Sequence, residues 1–257
     1  KIKFGHFFNK PIIEDIFPNL KEITFGGSFN SQIVPGAIPN VTKIVFVMDS
    51  HFNQPIEKGI FQALEEIVFP PGFNSQINPG DMPNVKKITF SDYSQFDKEI
   101  IAETFPELTE ITFGPNFNKP INPGAMPNVK KISFGVSSQF NQPIEKDTFP
   151  KLEEITFGGS FNSQIQPGAM PKVTEIDFSR AYMFNQPILE GTFKELEEKE
   201  INFSSSYKSS YDIIYDENRK FIESKRKETT GGFRKLSKKT KNRRYKKSKI
   251  SKISKKK

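Results

Sequence analysis

Side chains able to do chemistry are sparse in this chain, and their spacing does not gather them. There are two histidines, His6 and His51, and no cysteine or tryptophan. Without cysteine there is no disulfide, thiolate metal site or thiol nucleophile, and the composition fits a reducing compartment. Neither histidine has a partner at metal-ligand spacing, and His51 reads as a solvated loop residue. The glycine pairs Gly26-Gly27 and Gly158-Gly159 lack the lysine and spacing of a phosphate-cradling loop. Carboxylates are abundant, but they recur at a fixed interval instead of converging on one bond, as general acid–base catalysis requires. The expectation is a protein that is not an enzyme and uses no cofactor or metal.

Charge is the next chemistry available, and it is segregated. From Arg219 to Lys257 the chain carries 19 Lys/Arg and two acids, Glu223 and Glu228; the preceding residues carry 19 basic and 28 acidic side chains. The net charge of +8 therefore averages an acidic body at −9 and a basic tail at +17. Residues 225–257 are rich in Lys, Arg and Ser and cannot bury enough apolar surface to fold alone, which predicts a disordered tail. Its clusters Lys225-Arg226-Lys227, Lys238-Lys239 and Arg243-Arg244 with Lys246-Lys247 suit a nucleic acid, a nuclear-import receptor or an anionic lipid surface. A tail that only solubilises the chain, or touches the acidic body, is the plainer reading. No run approaches the roughly 18 apolar residues that span a bilayer. An intracellular location, cytoplasmic or nuclear, is expected.

The elements that carry these charges come from an internal repeat. Phe-Asn recurs at Phe8-Asn9, Phe29-Asn30, Phe52-Asn53, Phe73-Asn74, Phe117-Asn118, Phe140-Asn141, Phe161-Asn162 and Phe184-Asn185, with Phe96-Asp97 in the one gap. The intervals alternate between 21 and 23 residues, so the unit is a pair of modules 44 residues long. Other columns keep step. Ile follows each of these Phe residues by four, and a Leu/Val column runs from Leu20 to Leu196. Ile-x-Phe closes each module, from Ile23/Phe25 to Ile201/Phe203, and Ile2/Phe4 supply the same pair at the start. The nine Phe of the Phe-Asn column (with Phe96), the nine of Ile-x-Phe from Phe25 to Phe203, and Phe17, Phe61, Phe105, Phe149 and Phe193, three places before the Leu/Val column, absorb 23 of the 27 Phe residues, so the aromatic excess reads as core.

In Leu-x-x-Ile-x-Phe the Ile and Phe stand two apart and point the same way on a strand. The predicted architecture is a repeat solenoid with a parallel ladder of about ten short strands at roughly 4.8 Å spacing over residues 1–207. Turns or short helical pieces should form the return limbs, since alternate modules carry Pro-Gly there (Pro35-Gly36, Pro79-Gly80, Pro123-Gly124, Pro167-Gly168). The Asn column, including Asn30, Asn53, Asn74, Asn118, Asn141 and Asn162, should bond loop backbone of the neighbouring module. Asp97 can accept but not donate, which predicts a looser or specialised module there. Tyr211, Ile214, Tyr215, Phe221 and Ile222 have rough helical periodicity after Ser210, which predicts a capping helix over 208–224.

The stretches Phe8-Asn9-Lys10-Pro11-Ile12, Phe52-Asn53-Gln54-Pro55-Ile56 and Phe117-Asn118-Lys119-Pro120-Ile121 resemble the FNIP repeat, a relative of the leucine-rich repeat known mainly from social amoebae and giant viruses. Alternate modules depart from it, with Gln32, Gln76 and Gln164 at the proline position. The resemblance implies a binding scaffold. In some members such repeats follow an F-box, which implies substrate capture for a ubiquitin ligase.

The outward positions of the strands are where a partner would be felt. The residue before each Ile runs Glu22, Lys43, Glu66, Lys87, Glu110, Lys131, Glu154, then Glu175 and Glu200. Opposite charges on neighbouring strands predict a self-satisfying ladder over seven strands, broken at Glu175. The middle column, which includes Thr112, Ser133, Thr156 and Asp177, is small and flat. A flat extended face suits a protein partner, and its acidic end (Glu154, Glu175, Asp177, Glu200) suits a basic one.

Overall fold

A computed structural model describes residues 1–14, 16–189, 191–193, 201–203, 211–215 and 221–226. One parallel sheet contains β1 (Ile2–Lys3), β2 (Glu22–Phe25), β3 (Lys43–Phe46), β4 (Glu66–Phe69), β5 (Lys87–Phe90), β6 (Glu110–Phe113), β7 (Lys131–Phe134), β8 (Glu154–Thr156), β9 (Glu175–Phe178) and β10 (Ile201–Phe203). The strands lie in chain order, each paired with the next, so the chain is a parallel β-solenoid. Register is set by identity: Ile faces Ile and Phe faces Phe, as in Ile23↔Ile44 and Phe25↔Phe46. The strands alternate part-exposed and buried, because only the Ile and Phe of Ile-x-Phe point inward.

Two columns of phenylalanine fill the interior. Within a module the Ile-x-Phe ring and the following Phe-Asn ring stack at 4.0–4.3 Å between centroids. Successive Phe-Asn rings lie 5.7–6.1 Å apart, nearly parallel. From Phe25 to Phe184 every Phe on these two columns is almost wholly buried. Each such side chain contributes about 1.5–3 kcal/mol of transfer free energy, with a further increment from ring–ring contact.

The two-residue difference between modules sits in the turn after each strand. Phe25 and Phe29 are joined by Gly26-Gly27-Ser28, whereas Phe46 and Phe52 are joined by the five residues Val47 to His51. The long turn tucks a serine inward: Ser50, Ser94 and Ser138 are buried, and the Ser94 and Ser138 hydroxyls accept from the Phe96 and Phe140 N–H groups at 3.1 Å. After Ser94 and Ser138 the serine crowds the start of the next short turn, which is glycine there, whereas Pro70 holds that place after Ser50. A Cβ on Gly114 would lie 2.4 Å from the Ser94 Cβ, and one on Gly158 would lie 2.5 Å from that of Ser138. The glycine of the Gly158-Gly159 pair is thus a packing device.

Two expectations need correction. The return limbs contain turns and no helix among the described residues. A residue at positive φ stands three places after the inward Ile in module after module, at Gly36, Gly59, Gly80, Gly124, Gly168 and Gly191, and at Glu103 and Asp147 with φ 62°. A left-handed residue in the third position, with proline close by, ends any helical turn before it propagates. Single parallel bridges Ile12↔Ile33, Ile100↔Ile121 and Ile144↔Ile165 tie these limbs together instead. The second correction concerns the predicted capping helix. Its segment holds two antiparallel strands, β11 (Tyr211–Tyr215) and β12 (Phe221–Arg226), with Tyr211 opposite Arg226. Tyr-Asp-Ile-Ile-Tyr is dense in aromatic and β-branched residues, and that preference outweighs a weak i, i+3 pattern. Lys225 and Arg226, assigned to the tail by sequence, close β12. Residues 227–257, including Lys227, Lys238, Lys239, Arg243, Arg244, Lys246 and Lys247, lie outside the described residues, as does Glu200.

Candidate functional site

The Asn column forms a continuous hydrogen-bonded ladder along the turns, at the surface. Each Asn Oδ1 accepts from the backbone N–H of the equivalent residue one module on, from Asn9 and Asn30 to Asn162 and Asn185, at 2.7–3.0 Å. The ladder runs through Asp97 without a break: Asp97 N–H donates to Asn74 at 3.0 Å, and the Asp97 carboxylate accepts from Asn118 N–H at 2.9 Å. Only the acceptor oxygen is needed along this ladder, so a carboxylate substitutes for the amide. The expected loosening at Asp97 is absent, and Phe96 beside it is buried. Gln54 and Gln142 reinforce the ladder by donating Nε2–H to the Asn30 and Asn118 carbonyls.

The outward face carries the charges at sheet spacing. Its first column reads, in register, Glu22↔Lys43, Lys43↔Glu66, Glu66↔Lys87, Lys87↔Glu110, Glu110↔Lys131 and Lys131↔Glu154. Each lysine closes on the carboxylate of the strand that follows: Lys43–Glu66 at 2.7 Å, Lys87–Glu110 at 2.9 Å and Lys131–Glu154 at 2.5 Å. Lys1 does the same for Glu22 at 2.9 Å, and the hydrogen bond from Lys1 holds the Glu22 carboxyl below its ordinary range. The hydrogen bond to Glu154 raises the Lys131 ammonium above its ordinary value. One column over, Lys86 pairs with Glu65 and Lys130 with Glu153 at 3.1 and 3.0 Å.

The pattern changes at β8 and β9. Glu154 faces Glu175, and Thr156 faces Asp177. Glu175 has no ion pair among the described residues, and Asp177 turns its carboxylate back onto the Ser179 N–H at 2.7 Å. Thr112 and Ser133 occupy the half-buried middle positions of β6 and β7, flush with the sheet. Of the two histidines, His6 meets Asp49 at 3.0 Å on the turn rim and His51 is exposed. No group of three or more His, Cys, Asp or Glu side chains with metal-site geometry occurs among the described residues. No helix among them is long and apolar enough to cross a membrane.

A repeating Phe stack, an amide ladder tied to the Phe-Asn pair and a closing Ile-x-Phe strand together define the module, and the FNIP repeat model matches residues 8–47, 96–137 and 140–180. These are FNIP repeats. The FNIP solenoid is similar to the crystal structure of CroV588, a giant-virus protein described as a novel circular LRR (leucine-rich-repeat) structure, at 28% identity and a TM-score of 0.59. The match covers 78% of this chain and 33% of that protein, so the chain spans about a third of its length. No curated protein matches the chain. The similarity makes the solenoid leucine-rich-repeat-like in architecture.

Proposed function

We propose that this FNIP solenoid is a non-enzymatic protein-interaction scaffold, and that the outward strand face captures a basic segment of a partner at its acidic end. The carrying observation is the break in the charge ladder. From β2 to β8 every carboxylate of the first column stands opposite a lysine; at β9 Glu175 stands opposite another carboxylate. Two acids held side by side on a rigid sheet gain by binding a cation, and the flat Thr/Ser column beside them offers room for an extended chain. Thr112, Ser133, Glu154, Thr156, Glu175 and Asp177 make up this surface.

The test is calorimetric titration of the full chain with a Lys/Arg-rich peptide at low salt. Glu175→Lys continues the alternation and should weaken binding several-fold, whereas reversing the balanced Lys87/Glu110 pair should leave it unchanged. Equal affinity of wild type and Glu175→Lys would sink the proposal. The charge segregation favours a second reading, in which the basic tail (Lys225, Arg226, Lys227, Lys238, Lys239, Arg243, Arg244, Lys246, Lys247) binds nucleic acid. That reading predicts a steep fall of affinity for single-stranded DNA with salt, and its loss on charge-neutralising the tail.

A further inference from the structure

A second polar site lies on the opposite rim, where the chain leads into the strands. A shallow groove of about 330 Å³ is lined by Thr42, Ala63, Glu65, Asn84, Lys86 and Glu107. Its meaning emerges from the 44-residue repeat. Asn40, Asn84 and Asn128 are equivalent, and each donates its Nδ2–H to a carbonyl of the preceding module: Pro18 at 2.7 Å, Gln62 at 2.6 Å and Pro106 at 2.7 Å. With the amide nitrogen fixed backward in all three, the Oδ1 acceptor is left for the module ahead. At Asn128 that acceptor is filled by the Lys151 ammonium at 2.5 Å. The equivalent of Lys151 beyond Asn84 is Glu107, and beyond Asn40 it is Ala63. At Asn84 the repeat thus keeps the acceptor, replaces the lysine with a carboxylate, and opens space through the small Ala63. Glu107 has no ion pair among the described residues, while its neighbours Glu65 and Lys86 satisfy each other at 3.1 Å.

We infer that the groove at Asn84 and Glu107 is a binding site for a lysine-type ammonium group, with Asn84 Oδ1 and the Glu107 carboxylate as its acceptors. The solenoid itself supplies the template, since Lys151 on Asn128 shows an ammonium seated on the same amide. This site is separate from the acidic end of the outward face, so the failure of either proposal leaves the other standing.

The test is an NMR titration of the full chain with Nα-acetyl-lysine amide, followed at the side-chain amide of Asn84. A saturating shift is expected, weakened several-fold by 0.5 M NaCl and absent with Nα-acetyl-norleucine amide. Glu107→Gln should weaken it. Glu107→Lys should abolish it, because the new ammonium occupies Asn84 from within. If salt alone moves the Asn84 resonance before any probe is added, a lysine of the chain itself fills the groove; if only the probe moves it, the site awaits a partner's lysine. Either result upholds the ammonium site. Absence of a saturating shift, or a shift unchanged in Glu107→Lys, overturns it.

Discussion

The interior of the solenoid and its outward strand face are built on the same 21- and 23-residue spacing, but they treat it differently. Inside, each module repeats the same solution, Phe on Phe, and the turns at the surface repeat theirs, Asn oxygen to the next Asn N–H. Outside, the partner of each residue has the opposite charge, and the pattern is allowed to fail at Glu175. Stacking and backbone satisfaction are short-ranged and depend on shape, so they tolerate little variation from module to module. Exposed charges are weakly coupled and solvated, so one can be changed without disturbing the fold. A nearest-neighbour solenoid thereby separates what holds it together from what it can present to others.

Breaking the interior should show this most strongly. Phe117→Ala removes a wholly buried ring stacked on Phe96, Phe113 and Phe140 and should cost about 3–5 kcal/mol in urea unfolding. Asn118→Ala removes the acceptor of the exposed Asn141 N–H, which water can replace, and should cost about 0.5–1.5 kcal/mol, whereas Asn118→Asp keeps an acceptor, as Asp97 does, and should cost distinctly less. Hydrogen exchange at the Asn141 amide distinguishes the two variants directly.

Among the described residues, Asp81 is the one ionisable side chain buried in the interior. It occupies the position of Ala37, Ala125 and Ala169, and its carboxylate takes the Asn78 N–H at 2.7 Å. Val34 and Gln166, the equivalents of Asn78, instead donate to the carbonyls of Ile12 and Ile144, where the limbs are bridged. Burial raises the Asp81 carboxyl above its ordinary range, despite the Asn78 hydrogen bonds. A carboxyl raised on folding holds its proton longer in the native state, so its contribution to stability falls as pH rises through the ordinary carboxylate range. Asp81→Ala should therefore stabilise the chain by about 1 kcal/mol at pH 7, and the gain should shrink toward pH 3–4. A gain independent of pH would contradict this account.

The smallest effect belongs to the outward face. A double-mutant cycle on Lys131 and Glu154 should give a coupling of only about 0.2–1 kcal/mol, reduced by salt.

The strands were legible in the sequence because Ile-x-Phe returns in every module and repetition removes the ambiguity of a four-residue segment. The return limbs were not, since Pro-Gly marks a turn without saying that the neighbouring limbs would bridge at Ile12↔Ile33. The segment after the solenoid has no repeat to lean on, and there a weak periodicity at Tyr211, Ile214 and Tyr215 pointed to the wrong element. The charge alternation could be read directly, but which glutamate each lysine chooses could not. The Asn84 groove leaves only a faint trace: Glu107 stands where Lys151 stands one period later, and that exchange gains meaning only once the Asn128 amide is seen to hold an ammonium.

The alternation of short and long turns also sets how such a gene can change length. Excising two adjacent modules, 44 residues from Asn53 to Phe96, would bring Lys43 beside Glu110 and a long turn before a short one, as in the parent. Excising one would set Lys43 beside Lys87 and place two long turns in succession. Unequal recombination should therefore leave viable descendants in steps of module pairs, with copy number drifting by twos.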